Sequence, residues 1–311
     1  MATTAMRKKN QLVLAKIETT YDTDSVPVVA TDSILAYDIK FKENVEPVRR
    51  LAQVASLSRL ASVSGSKFAE LNFKVELKGS GTAGTAPRIG VILRSCGFGM
   101  TTVSSTSNTF LPISSGFETV TVYFFVDGRR HVMTGCRGDV KINCEAGQFA
   151  SLDVTLSGRY AAPTLVALAT PTLETTTPPV CKSAQFSYNS KTTLVLKSIL
   201  LEMNNVIAAR PSISDANSIL GFEITGRDPM VTIDPEATIE TSYDFRSDAL
   251  TTSRALSWVI GATAGNIFTF SIPKYNAYFP EYEDRDEVLV EKIKGEAAQN
   301  SGNDEVSIIV T

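Results

Sequence analysis

Few residues in this chain have the type and spacing to do chemistry. Gly79, Gly81 and Gly84 form a literal G-x-G-x-x-G between an alternating run and a short amphipathic one. In a dinucleotide fold such a loop cradles a pyrophosphate on its backbone amides. That chemistry also needs an acidic residue about 20 positions further on, to hold the ribose. No Asp or Glu occurs between Glu76 and Glu118, so the run reads as a flexible strand-to-helix connection. His131 is the single histidine and lies mid-strand in RRHVM. It excludes a multi-histidine metal site, and with no nucleophile to pair with it, it is expected to be structural or surface-lying. Cys96, Cys136, Cys144 and Cys181 form no C-x-x-C pair and lack histidines at zinc spacing. They are expected to be thiols packed as small hydrophobes. The run EYEDRDE at 281–287 could offer paired carboxylates to a metal, but a solvated acidic surface accounts for it. The expectation is a chain that is not an enzyme, with no catalytic, cofactor-binding or metal-binding residues.

The bulk properties narrow the class further. The 311 residues suffice for one large or two medium domains, and a 43% hydrophobic content supports a real core. A net charge of −3 argues against a nucleic-acid clamp built on lysine and arginine. No apolar run approaches the roughly 20 residues of a membrane helix, so no membrane partner is expected. The start, MATTAMRKKNQLVLAK, has too short an apolar run for a signal peptide, which predicts a protein that stays in the cytosol where it is made.

The elements that would position any site are mostly strands. Phe73, Val75 and Leu77 alternate with Asn72, Lys74 and Glu76, the period of a half-buried strand. Pro87 can open a helix, Ile89, Ile92, Leu93 and Cys96 share one helical face, and Gly97 fits its stop. Residues 100–109, rich in Ser and Thr, read as a loop. Residues 1–20 look like an arm, of which 11–16 can add a strand to a neighbouring edge. Residues 18–30 read as a polar loop and 33–41 as a strand. The segment 42–67 is either a surface helix or an arm that packs on another subunit, since a loop of more than about 15 residues in a compact domain is usually functional or disordered. The run 117–133 is a hairpin around Asp127-Gly128, a favoured tight-turn pair, and 140–144 and 149–156 continue the strands.

The Thr/Pro-rich stretch 163–180 reads as a linker between two domains, 1–162 and 181–311. The second half repeats the element order of the first, opening at Ser198-Ile199-Leu200 as the first opens at Ser33-Ile34-Leu35. It has a strand at 230–233, a helical stretch at 235–248, a hairpin at 256–272 turning near Gly265, and strands at 288–294 and 306–310.

Two runs carry a family resemblance: VELKGSGTAGTAPRIGVILRSCGF and GFETVTVYFFVDGRRHVMTGCRGDVKINCEAGQFASLDVTLSGRYAAP. With GFEITGRDPMVTIDPEA, GATAGNIFTFSIPK and the final YEDRDEVLVEKI…NDEVSIIVT, they resemble the tail tube proteins of tailed bacteriophages, in the form that holds a duplicated domain. The resemblance covers nearly the whole chain. It implies a mainly β fold: two tandem β-barrel or sandwich domains, each with a flanking short helix, plus long loops and an N-terminal arm. It further implies a virion protein, assembled in the host cytoplasm, whose trimeric rings stack into a helical tube. Double-stranded DNA would pass through that tube without specific binding. The implied partners are other copies and further tail proteins, namely tape measure, terminator and distal tail. Arg49, Arg50, Leu51, Leu57 and Leu60 become the candidate ring-stacking interface. The hairpins at Asp127, Gly128 and Gly265 become candidate lumen walls, with Arg129, Arg130 and Arg137 expected near strand ends or paired with Asp127, Asp139 or Glu145. The alternative reading is a carbohydrate- or receptor-binding β-sandwich that decorates a virion, which should expose aromatics in a groove.

Overall fold

The computed structural model describes residues 5–239 and 244–311. Nearly all of its regular structure is antiparallel strand. In the first half these are β1 (Gln11–Ile17), β2 (Ser33–Ile34), β3 (Ala36–Val48), β4 (Val63–Glu76), β5 (Phe98–Val103), β6 (Ser107–Pro112), β7 (Val120–Val126), β8 (Arg129–Glu145), β9 (Ser151–Tyr160) and β10 (Thr164–Leu165), with α1 (Ile89–Ser95) after β4. β2 pairs β1, β1 pairs β7, β7 pairs β8, β8 pairs β9, β9 pairs β4, and β4 pairs β3. Only Leu35 separates β2 from β3, so the circuit closes into a barrel. The link between β2 and β3 is the chain itself and not a ladder, so beyond Tyr37 β3 keeps one free edge among the described strands.

The sequence pattern explains the core. Leu71, Phe73 and Val75 on β4 are buried, and the alternating Asn72, Lys74 and Glu76 face away from it. β7 is almost wholly apolar, with Thr121 bonded to Glu18, because both its faces are covered. Val120, Val122 and Phe124 enter the main core, while Tyr123 and Phe125 join Leu12 and Leu14 in a second cluster capped by Val29 and Val166. Ile89, Ile92 and Leu93 of α1 enter the main core, and Gly97, at φ 87°, ends the helix in the left-handed region that a side chain would strain.

The second half contains β11 (Gln185–Tyr188), β12 (Leu196–Glu202), β13 (Val206–Pro211), β14 (Ile219–Gly226), β15 (Met230–Pro235), α2 (Phe245–Asp248), β16 (Arg254–Ile260), β17 (Phe268–Ala277), β18 (Glu281–Arg285), β19 (Val288–Ala298) and β20 (Ser307–Val310). Its pairing order, β12, β15, β19, β17, β16, β11, matches β3, β4, β9, β8, β7, β1 in the first half. The two main hairpins even slip register at the same place, between Val120 and Val122 in one and between Arg254 and Leu256 in the other. A shared irregularity of this kind reflects repeated architecture, since bulges are specific features of a strand pair.

Three sequence expectations are corrected. Residues 100–109 are not a loop: β5 and β6 form a hairpin there, which buries Phe98 and Phe110. Most of 42–67 is neither helix nor loop, because β3 and β4 run on as a long two-stranded arm and only 49–62 connects them. The helical stretch expected at 235–248 shrinks to Phe245–Asp248, whose start is capped by the Asp244 carboxylate accepting from the amides of Arg246 and Ser247. Residues 240–243 of that expectation lie outside the described residues.

Candidate assembly surface

One continuous sheet crosses both halves. β8 pairs with β7 through its first part, then changes partner along that edge and takes up β12, with Lys141 opposite Glu202 and Glu145 opposite Ser198. The resulting order is β3, β4, β9, β8, β12, β15, β19, β18, all antiparallel. One face of this sheet meets the core. The other is polar and crossed by ion pairs: Lys42–Glu70 at 4.0 Å, Lys74–Asp153 at 3.2 Å, Lys141–Glu202 at 2.5 Å, Lys197–Glu145 at 3.4 Å, Arg285–Asp234 at 2.9 Å and Lys292–Glu283 at 2.9 Å. Hydrogen bonds to their acids push the Lys74, Lys141 and Lys292 pKa values up. Exposed pairs of this kind contribute only about 0–1 kcal/mol each to stability. Their larger effect is on the field: each lysine of these pairs has an acid beside it, and only Lys40 and Lys294 among the described lysines of the face take no ion pair.

The glycine loop lies at a second joint between the halves. The Gly79 amide donates to Asn266 Oδ1 at 2.7 Å and the Gly81 amide to the Gly265 carbonyl at 3.1 Å. A Cβ at Gly79 would stand 1.9 Å from that carbonyl oxygen, and one at Gly265 would stand 2.1 Å from the Thr82 nitrogen. The amides that a phosphate would need are therefore spent on the second half, and glycine is there to let two main chains touch. The stretch 163–180 is held along the same side. Arg88 donates to the carbonyls of Thr172 (2.7 Å), Ser33 (3.0 Å) and Ala30 (3.2 Å), and Asn266 donates to Thr177 O at 2.8 Å.

The third joint is the β13–β14 hairpin, which folds back over β8, β9 and β4. Arg137 is buried beneath it, ion-paired with Glu223 and donating to the carbonyls of Phe222 (2.8 Å) and Phe117 (2.9 Å). Arg159 bridges Asp22 and Asp215. Glu18 is a buried carboxylate that accepts from Thr119 (2.6 Å), Thr121 (2.9 Å) and the amides of Gly135 (2.8 Å) and Asp22 (2.9 Å). Sequence reasoning placed Glu18 in a polar loop, and no local signal marked it as a buried hub.

The family profile described as Phage tail tube protein matches residues 8–311. The chain belongs to the phage tail tube protein family. No curated protein matches the sequence. Membership makes it a structural protein of the phage tail, and no helix among the described residues is long and apolar enough to cross a membrane.

Within this tail tube protein the sequence-predicted residues fall as follows. Arg49, Arg50, Leu51 and Leu57 are exposed and Leu60 is half-buried, all in the 49–62 loop at the tip of the β3–β4 arm. Leu51 at 88% and Leu57 at 108% relative exposure are large apolar side chains with nothing covering them. Asp127 and Gly128 turn between β7 and β8, where Asp127 accepts from Asn10 Nδ2 (2.9 Å) and the Arg7 amide (2.7 Å), and Gly265 sits in the glycine joint. Arg130 lies over the Tyr123 ring at 4.7 Å, and Arg137 takes a partner from the other half, not Asp127, Asp139 or Glu145. His131 packs between Phe41 and Phe124 and bonds Glu43 at 3.1 Å; burial pushes its pKa down. All four cysteines are free and buried. Trp258 is buried and stacks on Phe270, with centroids 4.7 Å apart.

Proposed function

We propose that this protein is the tube-building subunit of the tail: copies close into rings, the rings stack, and the genome passes through the bore. The observation that carries the reading is the eight-stranded sheet with a single polar, charge-balanced face and an unpaired strand at each end. A sheet with two different free edges joins head to tail, and such heterologous contacts close into rings when the rotation allows. With two domains of matched topology per chain, bounded by the 163–180 linker, three chains make a ring with approximate sixfold pseudosymmetry. The polar face forms the wall. The hairpins that turn at Asp127-Gly128 and near Gly265 contribute to it through the far ends of their strands, β8 and the β17–β18 run. Phosphates slide past such a wall because most of its positive charges are already matched by acids. The exposed Leu51 and Leu57 with Arg49 and Arg50 give the next ring apolar anchors inside a charged rim. Ends of the tube meet the tape measure, terminator and distal tail proteins, and assembly takes place in the host cytoplasm.

The test is negative-stain microscopy of the purified chain. Rings or tubes with threefold symmetry are expected, and a protein that stays monomeric at every concentration overturns the reading. The decoration alternative gains nothing from Trp258, which is buried against Phe270 where an exposed groove aromatic would be needed.

A further inference from the structure

The joint inside the chain has a counterpart at the two ends of the sheet, and the charges there are reversed. The repeat can be aligned residue by residue through strand register. Leu71 pairs with Phe41 and Leu156; Val231 pairs with Leu201 and Gly295. Phe41 therefore corresponds to Leu201, Lys42 to Glu202, and Asp153 to Lys292. Asp153 pairs with Lys141 and Lys292 pairs with Glu281, so Glu281 stands where Lys141 stands in the first half. The internal joint places Lys141 opposite Glu202. Its counterparts are Glu281 and Lys42, the same pair with both signs exchanged.

Both counterparts lie on open edges. Among the described strands β3 pairs only with β4 beyond Tyr37, and β18 pairs only with β19. Glu281, Tyr282, Glu283 and Asp284 are exposed on one edge, Lys40 and Lys42 on the other. We propose that β18 of one copy adds in antiparallel fashion to β3 of a second copy of this chain, with Glu281 opposite Lys42 and Glu283 opposite Lys40. This deepens the ring reading and rests on it.

The sign exchange makes the joint selective. Adding β18 to another copy's β12 would put Glu281 against Glu202, and adding β8 to another copy's β3 would put Lys141 against Lys42. Like charges directly opposite each other oppose strand pairing, and a repulsive element against the wrong partner is how close competitors are told apart. First and second halves are thus forced to alternate around the ring, although their edges have the same shape.

The experiment uses the full chain and its variants K42E, E281K and K42E/E281K. Lys42 is well exposed, its side chain 69% accessible, so circular dichroism and melting should match the wild type in all three. Each single variant is expected to raise the protein concentration needed for assembly at least tenfold, and the double variant to restore it. Oxidised K42C/E281C should give covalent multimers on a non-reducing gel. If the wild type forms tubes and the single variants form them equally well, this joint is overturned and the tube reading stands. If the wild type never assembles, both fall.

Discussion

At Gly79 and Gly265 two main chains from opposite halves come closer than any Cβ allows. Their substitution is the sharpest test of that contact. Gly79→Ala forces the loop off the Gly265 carbonyl, and overpacking of this kind costs about 1–3 kcal/mol. The variant should melt several degrees lower and be cut faster by protease in 163–180, whose Thr177 carbonyl is held by the neighbouring Asn266. An unchanged melting temperature would mean the halves are not held there. His131 gives a pH signature. Burial lowers its folded pKa, so the unfolded chain takes up the proton first as pH falls. Its contribution to stability is complete above the unfolded value, about 6.5, and is lost as pH drops from there through the lower folded value. The stability advantage of wild type over His131→Phe should shrink between pH 7.5 and 5.5 in urea titrations; an advantage that stays level would place the imidazole in water. From sequence, His131 could be recognised as non-catalytic because it lacked a plausible nucleophile. Its pocket could not, since Phe41 and Glu43 reach it from β3, distant in the chain, and Phe124 from β7.

Among elements, the β3–β4 arm separates folding from assembly. Its inner part belongs to the barrel, and residues 49–62 at its tip are exposed apart from half-buried Leu60. Replacing 49–62 by Asn-Gly should leave the melting temperature within a few degrees of wild type, because shortening a flexible loop changes its closure entropy only weakly. The same variant should fail to form tubes in the electron microscope, and normal-length tubes from it would remove the stacking role. The arm also shows where sequence reading stops. β4 was legible because one face is buried, so Leu71, Phe73 and Val75 alternate cleanly. On the outer part of β3, VEPV at 45–48, neither face is covered and the apolar period disappears although the strand persists. β5 and β6 were hidden differently, by Ser and Thr on their solvent side. The Asp127-Gly128 hairpin and α1 were readable since their signals are local. The β8–β12 joint was not, because strands roughly 60 residues apart in the chain announce no pairing in their composition.

For the assembled molecule, two predictions follow from charge. Asp153 neutralises Lys74 on the polar face at 3.2 Å. Asp153→Lys would leave Lys74, Lys141 and the new ammonium together, so DNA release from particles carrying it should slow while tube length stays normal. The delay should fade as salt rises, since each charge reaches only about 8 Å at physiological ionic strength. Ejection kinetics unaffected at low salt would place this face elsewhere than the bore. The second concerns parity. In an equimolar mixture of K42E and E281K chains, matched edges occur only between unlike copies. A ring with an odd number of chains cannot alternate all the way round, so three-chain rings should not close from the mixture, and rings of six full chains would.

The last strand of the described chain has a kinetic consequence. β20 lies between β17 and β6, pairing Ile308 with Phe270 on one side and with Phe110 on the other. The β5–β6 hairpin is made well before its partner, which follows it by roughly 200 residues. Until then Phe110 and Phe270, both fully buried in the finished fold, border open ladders. Contacts this distant in sequence form slowly, and a nascent chain with such edges is exposed to aggregation. The subunit should therefore acquire its final shape in a late step, visible in refolding as a slow phase that disappears when residues 306–311 are removed. The cell would hold a pool of nearly folded chains whose release into assembly is timed by one four-residue strand.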